Sequence, residues 1–154
     1  RYGMVPKIYE GVANSAAALE GILALSDALS RGSLAPDDRE AVYLAVSQRN
    51  GCRYCLAAHS ALARQLGMSD DELLAARRFR SSSKPRQALL AFVEQVCETR
   101  GFLSDTDLEQ VRGCGYSDGE IVEAIAYVAL ATFTNFFNHV HDTPIDFPPV
   151  PEVA

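Results

Sequence analysis

Residues 36–67, PDDREAVYLAVSQRNGCRYCLAAHSALARQLG, read as two helices joined by a sharp reversal. Pro36 suits a first helical position, where its missing N–H costs nothing, and Asp37 and Asp38 complement the positive end of the helix dipole. The first helix runs through Glu40, Val42, Tyr43, Leu44 and Val46 until Asn50-Gly51 breaks it. The second covers about Arg53 to Leu66 and stops at Gly67. If the two fold back antiparallel, residues equally far from the turn meet. Glu40 lies ten positions before Asn50 and His59 eight after Gly51, so they are placed to touch.

Helix punctuation recurs on both sides of this hairpin. Asn14-Ser15 precedes a run from Ala16 to Leu29 that Arg31-Gly32 closes. Ser69 with Glu72 makes a capping-box pattern for a short helix ending near Phe79. After the loop Ser81-Ser82-Ser83-Lys84-Pro85 comes a helix from about Arg86 to Arg100, with Leu89, Phe92, Val93 and Val96 on one face and Gly101 as its stop. Ser104 opens another short helix ending near Gly113-Cys114-Gly115. Ser117 with Glu120 is a second capping box before a run from Ile121 to about His139. The tail, Thr143-Pro144-Ile145-Asp146-Phe147-Pro148-Pro149, cannot continue a helix. No stretch alternates β-branched and aromatic residues as a strand would. The expected fold is therefore all-α, a compact bundle of about seven helices. One domain covers residues 1–154, with a Pro-rich tail from about 143.

The 154 residues carry a formal net charge of −6, which argues against nucleic acid, because phosphate neutralisation needs a surplus of Lys and Arg. No uninterrupted apolar run reaches the roughly 18–20 residues that span a bilayer, so no membrane partner is expected. The chain begins at Arg1, not Met, and no basic stretch followed by an apolar one marks a signal peptide. A cytoplasmic protein is expected. Its four cysteines then read as catalytic or metal-binding and not as a secreted disulfide framework.

Cys52, Cys55 and His59 lie at offsets of three and four, the spacing of neighbours on one helix face. Two thiols one turn apart can close a disulfide, and an imidazole one turn further can take a proton from the nearer thiol. A Glu40 carboxylate bonded to one ring nitrogen of His59 would orient the ring and raise its basicity. Glu40, His59 and Cys55 thus read as a proton relay. The helix dipole favours Cys52 as the thiolate, since it falls at a helix N-terminus; the His59 spacing favours Cys55. The other candidates read as structural. Cys97 shares the core face of its helix, Cys114 has no visible base, and His139 and His141 are a stray pair near a helix end. Arg77, Arg78 and Arg80 form the only basic cluster, read as a solvated face.

The pattern of Glu, eleven residues, Cys-x-x-Cys, three residues and His resembles the signature of the alkylhydroperoxidase AhpD-like proteins, within the carboxymuconolactone decarboxylase superfamily. Glu40, Cys52, Cys55 and His59 match it position for position. The resemblance is strong over about Pro36 to Glu72 and diffuse elsewhere, the stretch from Thr134-Asn135 to Phe147 included. It implies an all-helical fold that assembles as a homotrimer or homohexamer. It also implies a peroxidase that works without haem, metal or other cofactor, takes a hydroperoxide as substrate, and is reset by an external dithiol reductant. By the same resemblance Cys55 is the peroxide-reactive sulfur, with Cys52 resolving. In the best-known branch a second His sits between the cysteines; here Tyr54 stands there. Two other functions compete: a cofactor-free decarboxylase using His59 as acid or base, and a zinc site built from Cys52, Cys55 and His59, with Glu40 as a fourth ligand.

Overall fold

The computed structural model describes residues 5–152, so Arg1, on which the reading of the chain's start rests, lies outside the described residues. Eight helices follow one another: α1 (Lys7–Val12), α2 (Ala16–Ser30), α3 (Pro36–Arg49), α4 (Arg53–Gln65), α5 (Asp70–Ala76), α6 (Lys84–Thr99), α7 (Asp105–Gly113) and α8 (Asp118–His141). The all-α expectation holds, with one helix more than the sequence suggested. The addition is α1, six residues behind Pro6, too short to show an amphipathic period.

α3 is the hub. It packs against α4, α5, α6 and α8, and every residue from Glu40 to Ser47 is buried. A helix enclosed on all sides needs apolar residues around its whole circumference, which Ala41-Val42-Tyr43-Leu44-Ala45-Val46 supplies. Leu44, Val42 and Val46 are at most 1% exposed, each worth about 1.5–3 kcal/mol of burial.

The caps follow the chemistry of the sequence. Ser69 and Glu72 close a capping box on α5, Ser117 and Glu120 one on α8, and Ser104 with Asp107 does the same for α7. α3 begins at Pro36, as expected, and is anchored at that end by Arg86 of α6. The Arg86 guanidinium bonds both Asp37 and Asp38, and Asp38 also accepts the Tyr116 hydroxyl at 2.8 Å. Arg77 departs from expectation. It is 4% exposed and donates to Gln48 Oε1 and the Pro151 carbonyl, each at 2.9 Å, so it ties the tail to α3 and does not face solvent. Arg78 and Arg80 are exposed, Arg80 pairing with Glu94.

The tail folds back over the α3–α4 hairpin. Asp146 accepts the Lys7 backbone N–H at 2.9 Å, and Phe147 meets Tyr54 edge-on. α8, at 24 residues, is long and apolar enough to cross a membrane by length and composition alone. In this fold its buried face, with Asn135 and Asn138 among Ala124, Tyr127 and Ala131, forms the wall against α3.

Candidate active site

The reversal at Asn50-Gly51 builds the site. Asn50 ends α3, and Gly51 takes φ +71°, a left-handed conformation costly for a residue with a Cβ. The Cys52 N–H then returns to the Ser47 carbonyl at 2.9 Å. Two side-chain bonds fix the turn on α8. Asn50 donates to Asn135 Oδ1 at 2.9 Å, and Asn135 donates to Ser47 Oγ at 3.2 Å.

This geometry puts Cys52 at the N-cap of α4, where its sulfur accepts the Cys55 N–H at 3.3 Å. The two sulfurs stand 2.7 Å apart. Asn138 of α8 donates to the Cys55 sulfur at 3.2 Å and reaches the Cys52 sulfur at 3.8 Å. Donors reach both sulfurs. The Cys55 thiol above all, then the Cys55 N–H and Asn138, hold the Cys52 thiol below the usual range, against the opposing effect of burial. Cys55 is pushed well above its ordinary value by its hydrogen bond with Cys52, by burial and by its electrostatic interaction with Cys52. Of the two thiols Cys52 is therefore the more acidic.

One turn beyond Cys55, His59 Nδ1 lies 2.7 Å from Glu40 Oε2. The contact expected between the helices is made, with the Glu40 side chain 2% exposed. Tyr43, one turn along α3 from Glu40, stacks on the His59 ring at 3.9 Å between centroids. The ring is thus fixed by a carboxylate at one edge and an aromatic face on one side.

The two sulfurs open onto different spaces. Cys55 and His59 line a cavity of about 120 Å³, with Ile8, Ile22, Tyr43 and Leu130 among its walls. Cys52 lines an open groove of about 550 Å³ with Arg53, Asn138, His139, Thr143 and Pro144. Tyr54 is the one residue that lines both. Its hydroxyl accepts the Ile8 N–H at 3.4 Å, and burial with the neighbouring Asp146 carboxylate holds its proton on, well above the usual phenol range.

The remaining candidates lie outside this constellation. Cys97 is half-buried against the core, its thiol pushed up by burial, and Cys114 caps the C-terminal end of α7. His139 borders the groove, while His141 stacks on Phe137. Among the described residues no three His, Cys, Asp or Glu side chains are grouped as a metal ion would require. Sequence reasoning missed Asn138, Asn135 and Tyr43. Tyr43 was within reach, since it lies one turn from Glu40 on the same helix. The asparagines carried a weaker signal, two amides one turn apart in an otherwise apolar helix.

The assignment of Cys52 as the more acidic thiol has a direct consequence. In a Cys97→Ser/Cys114→Ser background, thiolate absorbance should rise with one midpoint below the ordinary thiol value of about 8.5. Asn138→Leu removes a donor to the thiolate and should move that midpoint upward. Two thiols that both titrate above the ordinary value would contradict the assignment.

Residues 9–94 match the carboxymuconolactone decarboxylase family. No curated protein matches the chain, but solved structures do. An uncharacterized peroxidase-related protein from Silicibacter sp. TM1040 is 25% identical, with a TM-score of 0.76 over 96% of this chain and 78% of that one. An alkylhydroperoxidase AhpD core protein, also uncharacterized and peroxidase-related, from Ralstonia eutropha JMP134 is 24% identical, with a TM-score of 0.82 and the same coverage, 96% and 78%. The debrominase Bmp8, solved with 2,3,4-tribromopyrrole, is 20% identical, with a TM-score of 0.79 over 94% of this chain and 79% of that one. The last two likenesses speak to the fold. With more than half of its length matched by the family model, the chain belongs to the carboxymuconolactone decarboxylase family, and its fold is AhpD-like.

Proposed function

We propose that the protein is a cytoplasmic dithiol peroxidase that reduces hydroperoxides through Cys52 and Cys55. One observation carries this reading: two sulfurs 2.7 Å apart, one of them sharing a cavity with a histidine that a buried glutamate holds. His59 takes the Cys55 proton, and the Cys55 sulfur attacks the terminal peroxide oxygen. The O–O bond breaks, Cys55 becomes a sulfenic acid, and the departing alkoxide takes the proton from His59. The Cys52 thiolate then attacks the Cys55 sulfur, forming the disulfide and releasing hydroxide, which becomes water on taking a proton from solvent. An external dithiol restores the pair. The lowered thiol value of Cys52 suits the second step, in which Cys52 is the attacking sulfur.

A decarboxylase reading leaves the dithiol without a use. A second redox reading, reduction of a carbon–halogen bond by the same pair, is favoured by the aromatic wall of Tyr43, Tyr54 and Phe147 around the cavity. The electrophile distinguishes the two. Hydrogen peroxide and cumene hydroperoxide should each oxidise the reduced protein to a single Cys52–Cys55 disulfide, leaving Cys97 and Cys114 reduced, and faster than a bromopyrrole does. Cys52→Ser should accumulate a sulfenic acid on Cys55. A Cys97–Cys114 disulfide, or faster turnover of the bromopyrrole, would overturn the peroxidase reading.

We also propose assembly with further copies of this chain, as a trimer or hexamer, through α8. Val122, Ile125, Phe133, Phe136 and Val140 are 43–90% exposed and recur at helical spacing, with exposed Ala129 between them. Such a stripe is the seam of a helix–helix interface. Light scattering should return three or six copies at micromolar concentration, and Phe136→Glu should lower that mass. A monomer in both proteins would contradict it.

A further inference from the structure

Two residues that line the groove on the Cys52 side carry polar atoms that the fold leaves unmatched. Asn138 Oδ1 and Thr143 Oγ1 are buried and without a hydrogen-bond partner. Their residues are 5% and 7% exposed, and both line the same groove as Cys52. A buried polar atom without a partner costs about 1–3 kcal/mol, so two beside a reactive sulfur point to a ligand that supplies the partners. The cavity on the Cys55 side is smaller and shares only Tyr54 with the groove.

We propose that the thiol reductant enters by this groove and attacks Cys52, on a different face from the one that admits the oxidising substrate. This rests on the dithiol reading given above. The ligand class is a thiol with an amide N–H or hydroxyl near its sulfur. The N–H fits the Asn138 carbonyl, and a carbonyl or hydroxyl fits Thr143. The reductant thiolate attacks the Cys52 sulfur and the Cys52–Cys55 bond breaks. The electron pair leaves on the Cys55 sulfur, which regains its proton by way of His59, one turn along the same helix. A second thiol attacks the reductant sulfur joined to Cys52, releasing the oxidised reductant as a disulfide and Cys52 as thiolate. With separate entrances, a bound substrate does not block the resetting of the pair.

The sequence supplies a clean assay. Arg53 lies between the two cysteines, so trypsin places Cys52 and Cys55 on different peptides. Wild-type protein is oxidised with diamide, which makes the disulfide whether or not a peroxide is the true substrate. It is then exposed briefly to glutathione, an amide-bearing monothiol, and quenched in acid. The glutathione adduct should be found on Cys52; an adduct mainly on Cys55 would overturn the proposal. Thr143→Trp, which fills the groove, should lower the rate of reduction by glutathione at least about tenfold relative to the rate of oxidation by cumene hydroperoxide. An unchanged ratio would count against it. Should Thr143→Trp fail to fold, the adduct position in wild type decides alone. Failure of diamide to form a Cys52–Cys55 disulfide would instead sink the dithiol reading, and this inference with it.

Discussion

A carboxylate in the middle of a helical bundle has to be matched, and Glu40 is matched by His59 at 2.7 Å. Removing a charge from water costs several kcal/mol, and a buried group stripped of its partner is about 3–5 kcal/mol worse. The pair therefore constrains everything around it. α3 and α4 must run antiparallel, and their register must bring position 40 opposite position 59. Gly51 supplies the left-handed turn that sets the register, and the Asn50–Asn135–Ser47 chain of hydrogen bonds holds the turn on α8.

The same constraint delivers the chemistry. Once the register is set, Cys52 falls on the N-cap of α4 and Cys55 one turn inside it, in hydrogen-bond contact with each other and with Asn138. Cys52 is the more acidic thiol and the imidazole shares a cavity with Cys55, so the two thiols differ although they are three residues apart. The helix-dipole argument and the histidine-spacing argument pointed to different sulfurs because each describes a separate task. The first concerns which thiol is the more acidic, the second which thiol has a base beside it.

Much of this was legible in the sequence where the signal was local. Pro36, Asn50-Gly51, Gly67 and the Ser69 and Ser117 capping boxes mark helix ends by backbone chemistry that no distant contact overrides. The Glu40–His59 contact was legible for the same reason, since a short turn makes distance from the turn a measure of distance in space. What failed was non-local. Arg77 looked like a surface charge beside Arg78 and Arg80, and its burial depends on a carbonyl of the tail 74 residues away. Asn138 comes to the sulfurs from 83 and 86 residues away, and nothing near it in the chain announces that.

The central claim is that Glu40 and His59 act on Cys55 as a unit, and one kinetic cycle tests it. Cys55 oxidation by cumene hydroperoxide would be followed by stopped flow across pH in wild type, Glu40→Gln, His59→Ala and the double variant. Each single variant should be slower by a similar factor, within the roughly 10²–10⁴ that a positioned acid–base group contributes. The double variant should lose little more than either, because residues that act together are non-additive. Single variants that keep the wild-type rate and pH profile, or losses that simply multiply, would contradict the relay and leave activation to the α4 N-terminus alone.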